Sequence, residues 1–440
     1  MHGRPSGDPP RLLDEAQRIL AANWTGGFTV PSRSLYPHQW SWDSAYIAEG
    51  LAWINPPRAE RELESILAAQ WRNGKVPHIA FDPAAPGDAY FPGPDFWRSD
   101  RIPEAPAGVA TSGLTQPPLH ARAALDVFRR GSDEAFLARV YPRLCAQHEY
   151  LAGHRDVSGS GLAAIVHPWE SGLDNAPLWD ESLARVRFRG ADVPRYRRRD
   201  LRTVAAAERP TDAAYDQYVF LAAGYRASGY DDADLRRTSP FLVEDPLFNA
   251  IYLWSTHALA EIASIVGADA KPHRRAAQRI REGLLGRLWD ARRGRFLARD
   301  ALTDAQIDRE AIGTLMPLLD PELPPAIRDA VIGRLRSPRF RTGGGCGLMV
   351  TTYDALAPDF DRRRYWRGPI WVNTNWLLGR ALRQHRKGAL ARSLDDATLH
   401  LVRGAGFREY FDPHTGEGHG SDDFSWTAAL VLDLLKEKLT

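Results

Sequence analysis

Apolar residues recur at helical spacing from one end of this chain to the other, and almost nowhere at strand spacing. Leu12, Leu13, Ala16, Ile19 and Leu20 form a stripe just after Pro9-Pro10, and prolines suit a helix start. Trp42, Ala45, Tyr46, Ala52 and Trp53 continue the pattern. Asn55-Pro56-Pro57 ends that helix and caps the next, which carries Leu63, Ile66, Leu67 and Trp71. Further helices are predicted near 117–130, 133–153, 212–228, 246–266, 271–289, 309–319, 325–336, 371–385, 390–404 and 424–438. Only the segments around Phe296-Leu297 and Leu348–Val350 read as short hairpin arms. Helices that follow one another without a sheet must bury their apolar faces on each other. Arriving in pairs, they can close into an all-α toroid of hairpins, with apolar inner and amphipathic outer helices. No strong linker interrupts the 440 residues, so 1–440 reads as one domain with irregular insertions near 82–118 and 184–211. Structureless stretches of that length usually carry function.

Charge and cysteine usage remove several classes of function. The 57 basic residues are balanced by 55 acids, leaving +2 and no argument for a nucleic-acid partner. The run Arg195–Arg199 has acids on both flanks and reads as a solvated loop. Two cysteines, Cys145 and Cys346, make no disulfide framework, which fits a reducing compartment. The N-terminus Met1-His2-Gly3-Arg4-Pro5 opens no apolar signal run, and no window approaches about 18 continuous apolar residues. The expectation is a cytoplasmic protein without a membrane span, and a homo-oligomer is compatible with it. The 13 histidines form neither HExxH nor a compact cluster, and no EF-hand loop occurs, so neither metal nor cofactor is expected. The glycine run Thr342–Gly347 lacks the Lys-Ser/Thr ending of a phosphate loop and reads as a tight loop at a pocket rim.

Four segments mix acids with Trp, Tyr, Gly and Pro in a way that helix interiors do not. The first is Leu35-Tyr36-Pro37-His38-Gln39-Trp40-Ser41-Trp42-Asp43-Ser44. A helix cap explains one Asp or Ser there. It does not explain the aromatic cluster, which suits a platform for an apolar sugar face with Asp43 reaching hydroxyls. The second is His167-Pro168-Trp169-Glu170-Ser171-Gly172-Leu173-Asp174-Asn175, where a carboxyl buried against Trp would keep its proton near neutral pH. Asp174 and Glu170 both qualify. The third, Tyr365-Trp366-Arg367-Gly368-Pro369-Ile370-Trp371, offers a planar cation and indoles. The fourth runs from Phe407 to Gly420, where Glu409 and Glu417 compete as a base. A pair of acids on opposite faces of a glycosidic bond is the equipment of glycoside hydrolysis.

With these four segments the chain resembles the α-glycosidases of glycoside hydrolase family 63, in its bacterial mannosylglycerate and glucosylglycerate hydrolase branch. More distantly it is similar to trehalases and glucoamylases. The motifs are Tyr-Pro-x-Gln-Trp-x-Trp-Asp-Ser, Trp-Glu-Ser-Gly-Leu-Asp-Asn, Tyr-Trp-Arg-Gly-Pro-x-Trp and Glu-Tyr-Phe-Asp-Pro-x-Thr-Gly-Glu-Gly, in that order between about Leu12 and Leu435. The resemblance implies an (α/α)6 barrel and an inverting mechanism, with Asp174 as general acid and Glu409 as general base. It implies that Tyr36, Trp40, Trp42 and Asp43 line the sugar and its acceptor, with Gln116 and Tyr215 as further contacts. It puts Trp169 against the acid, Trp371 beneath the ring and His78 in a loop over the site. The implied substrate is a small α-glycoside with an acidic aglycone, whose carboxylate needs a cation. Arg367, Arg209 and Lys75 are the candidates. An α-glucosidase or trehalase-like hydrolase is the nearest alternative. A toroid sugar epimerase or isomerase is the alternative of another class, and would need histidine pairs among these segments.

Overall fold

In the computed structural model, which describes residues 9–342 and 348–439, helices alternate between two concentric layers. The inner layer consists of six segments, and each leans on the next. They are α2 (Ser41–Leu51), α4 (His120–Arg129), α7 (Pro246–Ile265), the 3-10 segment Ile312–Leu319, α10 (Val372–Gln384) and α12 (Ser425–Glu437). The last packs back on the first, so the ring closes. Outside them, and alternating with them in the chain, stand α1 (Pro9–Ala22), α3 (Pro56–Ala68), α5 (Glu134–Tyr150), α8 (Lys271–Gly283), α9 (Pro325–Leu335) and α11 (Gly388–Ala405). This is an (α/α)6 barrel. One long helix, α6 (Asp212–Ala227), follows the second irregular segment and breaks the alternation.

Composition explains the layers. Every residue of α2 is buried, and α7 is apolar almost all round. Such helices have no face to give to water and must be enclosed. Helix α8 buries only Ala277, Ile280 and Gly283 and turns its Arg, Lys and Gln to solvent. Two predicted helices end early. Past Tyr150 and past Gly283 the chain widens into single π-turns, Leu151–Arg155 and Leu284–Leu288. The helix expected at 309–319 is a 3-10 segment, because Pro317 inside it has no N–H to give an α-helical bond. The arm predicted at Phe296 pairs as a hairpin, Trp289–Asp290 with Arg295–Phe296. Near Leu348–Val350 there is only an isolated bridge from Val350 to Arg341. The glycine-rich residues 343–347, Cys346 among them, lie outside the described residues.

The two ends of the barrel differ. At the C-terminal ends of the inner helices a buried ionic network closes the floor. Arg130 pairs with Glu49 at 2.5 Å and with Asp433 at 2.7 Å, and Arg380 pairs with Asp433 at 2.9 Å and with Glu437. The indole N–H groups of Trp53 and Trp376 each donate to Asp433 at 2.7 Å. The N-terminal ends open on a cavity, and the segments 82–118 and 184–211 cover it with short turns. Among the described residues no helix is long and apolar enough to cross a membrane.

Candidate active site

A cavity lined mainly by aromatic and acidic side chains lies at the N-terminal ends of the inner helices. Trp42 and Asp43 enter it from the first turn of α2, and Trp426 enters from the first turn of α12. Tyr36 and Trp40 come from the strand-like approach to α2. The covering segments add Tyr90, Gln116 and Arg209, and the approach to α10 adds Tyr365 and Trp366. Asp174 and Glu409 stand in its walls. The ends of inner helices that face it carry unsatisfied N–H groups and a partial positive charge, which favours carboxylates there.

Asp174 ends a loop held at nearly every residue. Trp169 N–H donates to His167 Nδ1 at 3.0 Å, and His167 Nε2 donates to the Tyr218 carbonyl at 2.9 Å, which fixes the ring and its tautomer. Glu170 is fully buried, and its carboxylate is consumed by four donors. Arg155 gives two, at 2.7 and 2.9 Å, and the N–H groups of Thr115 and Val166 give one each. That staples the Asp174 loop to the segment leading to Gln116 and leaves Glu170 no free oxygen for chemistry. Gly172 has φ +73°, and a Cβ there would lie 2.5 Å from the Trp42 ring, so only glycine lets the loop turn against that indole. On the far side Asn175 Oδ1 accepts Trp366 N–H at 2.9 Å. Burial lifts the Asp174 carboxyl from 3.8 to about 7; Arg209 and its own N–H oppose that, and Glu409 adds to it. It therefore keeps its proton well above the usual carboxylate range while facing the cavity.

Glu409 is held differently. Its N–H donates to the Ser421 carbonyl at 2.9 Å, and Ser421 N–H donates back to Oε2 at 3.0 Å. Tyr36 O–H donates to Oε1 at 2.9 Å, and Arg209 Nη1 lies 3.5 Å from the same oxygen. Burial raises its pKa, while Arg209, Ser421 N–H and Tyr36 pull it down. Gly420 (φ +68°) lies under the carboxylate, where a Cβ would come within 2.2 Å of Oε2. Among the described residues no hydrogen bond joins the carboxyls of Asp174 and Glu409. Asp43, 4 % exposed, is pushed well above the usual carboxylate range, first by burial and then by Glu409 and Asp174.

Several expected positions stand elsewhere. Trp371 does not line the cavity: it is fully buried, stacked 3.8 Å behind Trp366, and Trp366 presents its ring instead. Arg367 points away, forking onto Asp180 at 2.9 and 2.6 Å and donating to the Asn175 carbonyl. It clamps the Asp174 loop from behind. Lys75 is buried beside Asp232 at 3.6 Å, among the rings of Trp71, Tyr150, Tyr225 and Tyr230. His78 does not close over the cavity; its Nδ1 pairs with Ser112 Oγ at 2.5 Å and its ring stacks on Trp169. Trp169 packs on His167 and Tyr218 behind the Asp174 loop rather than lining the cavity. Tyr215 donates to the Phe91 carbonyl under the covering segments. Glu417 is exposed and pairs with Arg363 at 3.2 Å. Sequence reasoning missed Tyr90, Tyr365 and Trp426. The first lies in a Pro/Gly-rich stretch and the second inside a recognised motif. Trp426 follows Phe424-Ser425 at a helix start, where an indole reads as core.

Arg209 is the cation of the cavity. It is 6 % exposed, Nε donates to Asp200 at 3.2 Å, and Nη2 donates to the Tyr36 hydroxyl at 3.0 Å. Among the described residues Nη1 has no hydrogen-bond partner, and it lies 3.5 Å from Glu409 Oε1.

An (α/α)6 barrel that carries a protonated and an ionisable carboxyl in separate walls of an aromatic cavity is a toroid glycoside hydrolase. The profile of the mannosylglycerate hydrolase MGH1-like glycoside hydrolase domain matches residues 36–427. The chain is 43% identical to the mannosylglycerate hydrolase of Rubrobacter radiotolerans, over 97% of each chain. It is 37% identical to the glucosylglycerate hydrolase of Mycolicibacterium hassiacum, over 98% of this chain and 99% of that one. The crystal structure of the family 63 mannosylglycerate hydrolase from Thermus thermophilus, in complex with Tris and D-glycerate, superposes with a TM-score of 0.88. It is 36% identical, over 96% of this chain and 99% of that one. The chain belongs to the MGH1-like family of glycoside hydrolases.

Proposed function

We propose that this enzyme is an inverting α-glycosidase of a small glycoside with an acidic aglycone, mannosylglycerate or glucosylglycerate, working in the cytoplasm. The observation that carries this reading is the cavity itself: Asp174, whose carboxyl is lifted to about 7, and Glu409 stand in its walls, with the Arg209 guanidinium beside them. In the reaction Asp174 gives its proton to the glycosidic oxygen as the bond to the anomeric carbon breaks. Glu409 takes a proton from a water that bonds to the same carbon from the opposite face. The products are the free sugar in inverted configuration and the protonated aglycone oxygen. Inverting pairs stand about 6.5–9.5 Å apart to admit that water. Tyr36, Trp40, Trp42, Asp43 and Gln116 serve as sugar contacts, the indoles against apolar ring faces and Asp43 toward hydroxyls. Arg209 takes the aglycone carboxylate, for which a planar fork is suited.

The relatives support the aglycone, since they are named for glycerate glycosides and one is a glycerate complex. The neutral trehalase of Saccharomyces cerevisiae shares the fold at 17% identity and a TM-score of 0.60. A disaccharide has no carboxylate for the Arg209 guanidinium in the cavity wall, which favours the acidic aglycone. An epimerase would need histidines at the sugar, and none is among the lining residues described. The test is hydrolysis of mannosylglycerate, glucosylglycerate, mannosylglycerol and trehalose, followed by proton NMR. A first-formed β-anomer from an α-glycerate glycoside is expected. A first-formed α-anomer rejects inversion, and equal rates on the neutral glycosides reject the acidic aglycone.

A further inference from the structure

The segment 184–211 matched no motif, yet it builds a relay of charges that ends at the base. Arg198 forks onto Asp200, with Nε at 3.1 Å and Nη2 at 2.6 Å. Arg198 is itself anchored by the Pro210 carbonyl at 2.7 Å and Asp212 at 3.0 Å, with its guanidinium 4.5 Å from the centre of the Tyr215 ring. Asp200, 6 % exposed, accepts Arg209 Nε on its other side. The Arg209 guanidinium lies 4.1 Å over the Tyr365 ring, and its Nη1 stops 3.5 Å from Glu409 Oε1 without a hydrogen bond. The charges alternate along Arg198, Asp200, Arg209 and Glu409.

A guanidinium that close to a carboxylate gains by closing into a forked, charge-assisted pair. Something must hold it off, because a base locked in such a pair cannot take a proton from water. Tyr36 and the Tyr365 ring restrain the plane of the guanidinium, but neither opposes its charge. Asp200 does both, by accepting from Nε while a different nitrogen, Nη1, faces Glu409.

We infer that Asp200 is a positioning residue: it holds the Arg209 fork off Glu409, so that one side of the fork serves an anionic aglycone and the base stays free. This rests on the reading of the cavity as the site of an acidic aglycone. Nothing in the local sequence marks Asp200, which touches neither acid of the pair. Its role is set by what it keeps apart.

The test is Asp200→Asn, nearly the same shape without the charge, with Asp200→Glu as the conservative partner. Values of kcat/KM are measured from acid to alkaline pH on an α-glycoside of glycerate and on the matching glycoside of neutral glycerol. In Asp200→Asn the preference for the anionic substrate should fall about ten- to a hundredfold, chiefly through KM, the worth of hydrogen bonds to a charged group. The acidic limb of the profile, which reports Glu409, should move to lower pH. A negative charge has left its surroundings and Arg209 has closed on it, and both favour the ionised form. The other groups facing Glu409 are unchanged: Asp43, Asp174, Glu208 and the hydroxyls of Tyr36, Tyr90, Tyr365 and Tyr410. Asp200→Glu should keep most of the preference. Equal loss on both substrates with an unmoved acidic limb would overturn the inference, because that is what a merely collapsed loop gives. So would an unchanged preference. If the wild-type enzyme itself shows no preference for the anionic glycoside, the acidic aglycone is what fails, and the shift of the acidic limb alone decides the role of Asp200.

Discussion

Replacing Asp174 by Asn should make this protein less active and more stable, with a stability gain that grows with pH. The carboxyl is lifted from 3.8 to about 7, chiefly by burial. A folded-state pKa above the unfolded one means that the folded chain keeps a proton that the unfolded chain releases between those values. The stability from this group is therefore complete below 3.8 and is lost as pH rises through about 7. A shift of about three units at 1.36 kcal/mol each sets an upper limit near 4 kcal/mol by pH 8. The side chain opens on the cavity, and water there screens part of the cost, so about 2 kcal/mol is the expected size. Over half of it develops between pH 5 and 8. Asn carries no charge and escapes this penalty; it also relieves Asp43, which the Asp174 carboxylate pushes up, and that works in the same direction. Thermal unfolding of the two proteins in parallel at pH 5, 6, 7 and 8 should show the variant ahead by about 1–3 °C at the alkaline end and by less at the acid end. Turnover should drop about 10²–10⁴-fold, the usual contribution of a general acid. The drop should be smaller on glycosides whose leaving group departs without a proton. A stability difference flat in pH, or one that slopes the other way, would mean that position 174 is not a desolvated acid titrating near 7. The assignment of the proton donor would then lose its physical basis.

The remaining predictions concern the base, the rim and the floor. Gly420→Ala puts a Cβ at 2.2 Å from Glu409 Oε2. It should lower kcat at least about 10²-fold, as small misplacements of a reacting group do, in protein whose circular dichroism is unchanged. The segment 184–211 carries nine arginines against three acids at the cavity mouth. Stopped-flow or initial-rate kcat/KM on an anionic glycoside should therefore fall as salt rises from 0.01 to about 0.3 M, while a neutral glycoside should respond little. Asp433→Asn weakens the network that closes the barrel floor, where Asp433 meets Arg130, Arg380, Trp53 and Trp376. Unfolding by urea should register a loss of about 3–5 kcal/mol, and activity per folded molecule should stay near wild type because the network lies at the opposite end from the cavity.

The parts of the site that were legible in the sequence are those whose chemistry is local. Asp174 and Glu409 sit in short loops rich in Gly, Trp and Tyr, and the loop conformation that presents them is written in those few residues. Tyr36, Trp40, Trp42 and Asp43 enter together because they fill one strand-like approach and one helical turn. The misplaced expectations share a different cause. Trp366 and Trp371 are five residues apart and stack on each other, so which ring meets the cavity depends on which side of the stack the barrel lies. Trp169 and His78 are aromatic neighbours of the acid loop that pack behind it for the same reason. Arg367, Lys75 and Arg209 looked alike as carboxylate partners. Two of them pair away from the cavity, with Asp180 and with Asp232, each far away in sequence.

What the residue order determined by itself was the alternation of helices apolar on every side with helices apolar on one, and that alternation dictates two layers, because only the first kind must be walled off from water. It determined as well which short loops carry the acids. Tertiary structure decided which cation lines the cavity. Charge is neutralised by whatever lies within a few ångströms, and in a closed ring those neighbours come from residues tens or hundreds of positions apart. Only the folded ring sends Arg367 to Asp180 and Lys75 to Asp232 and brings Arg209 beside Glu409 in the cavity wall.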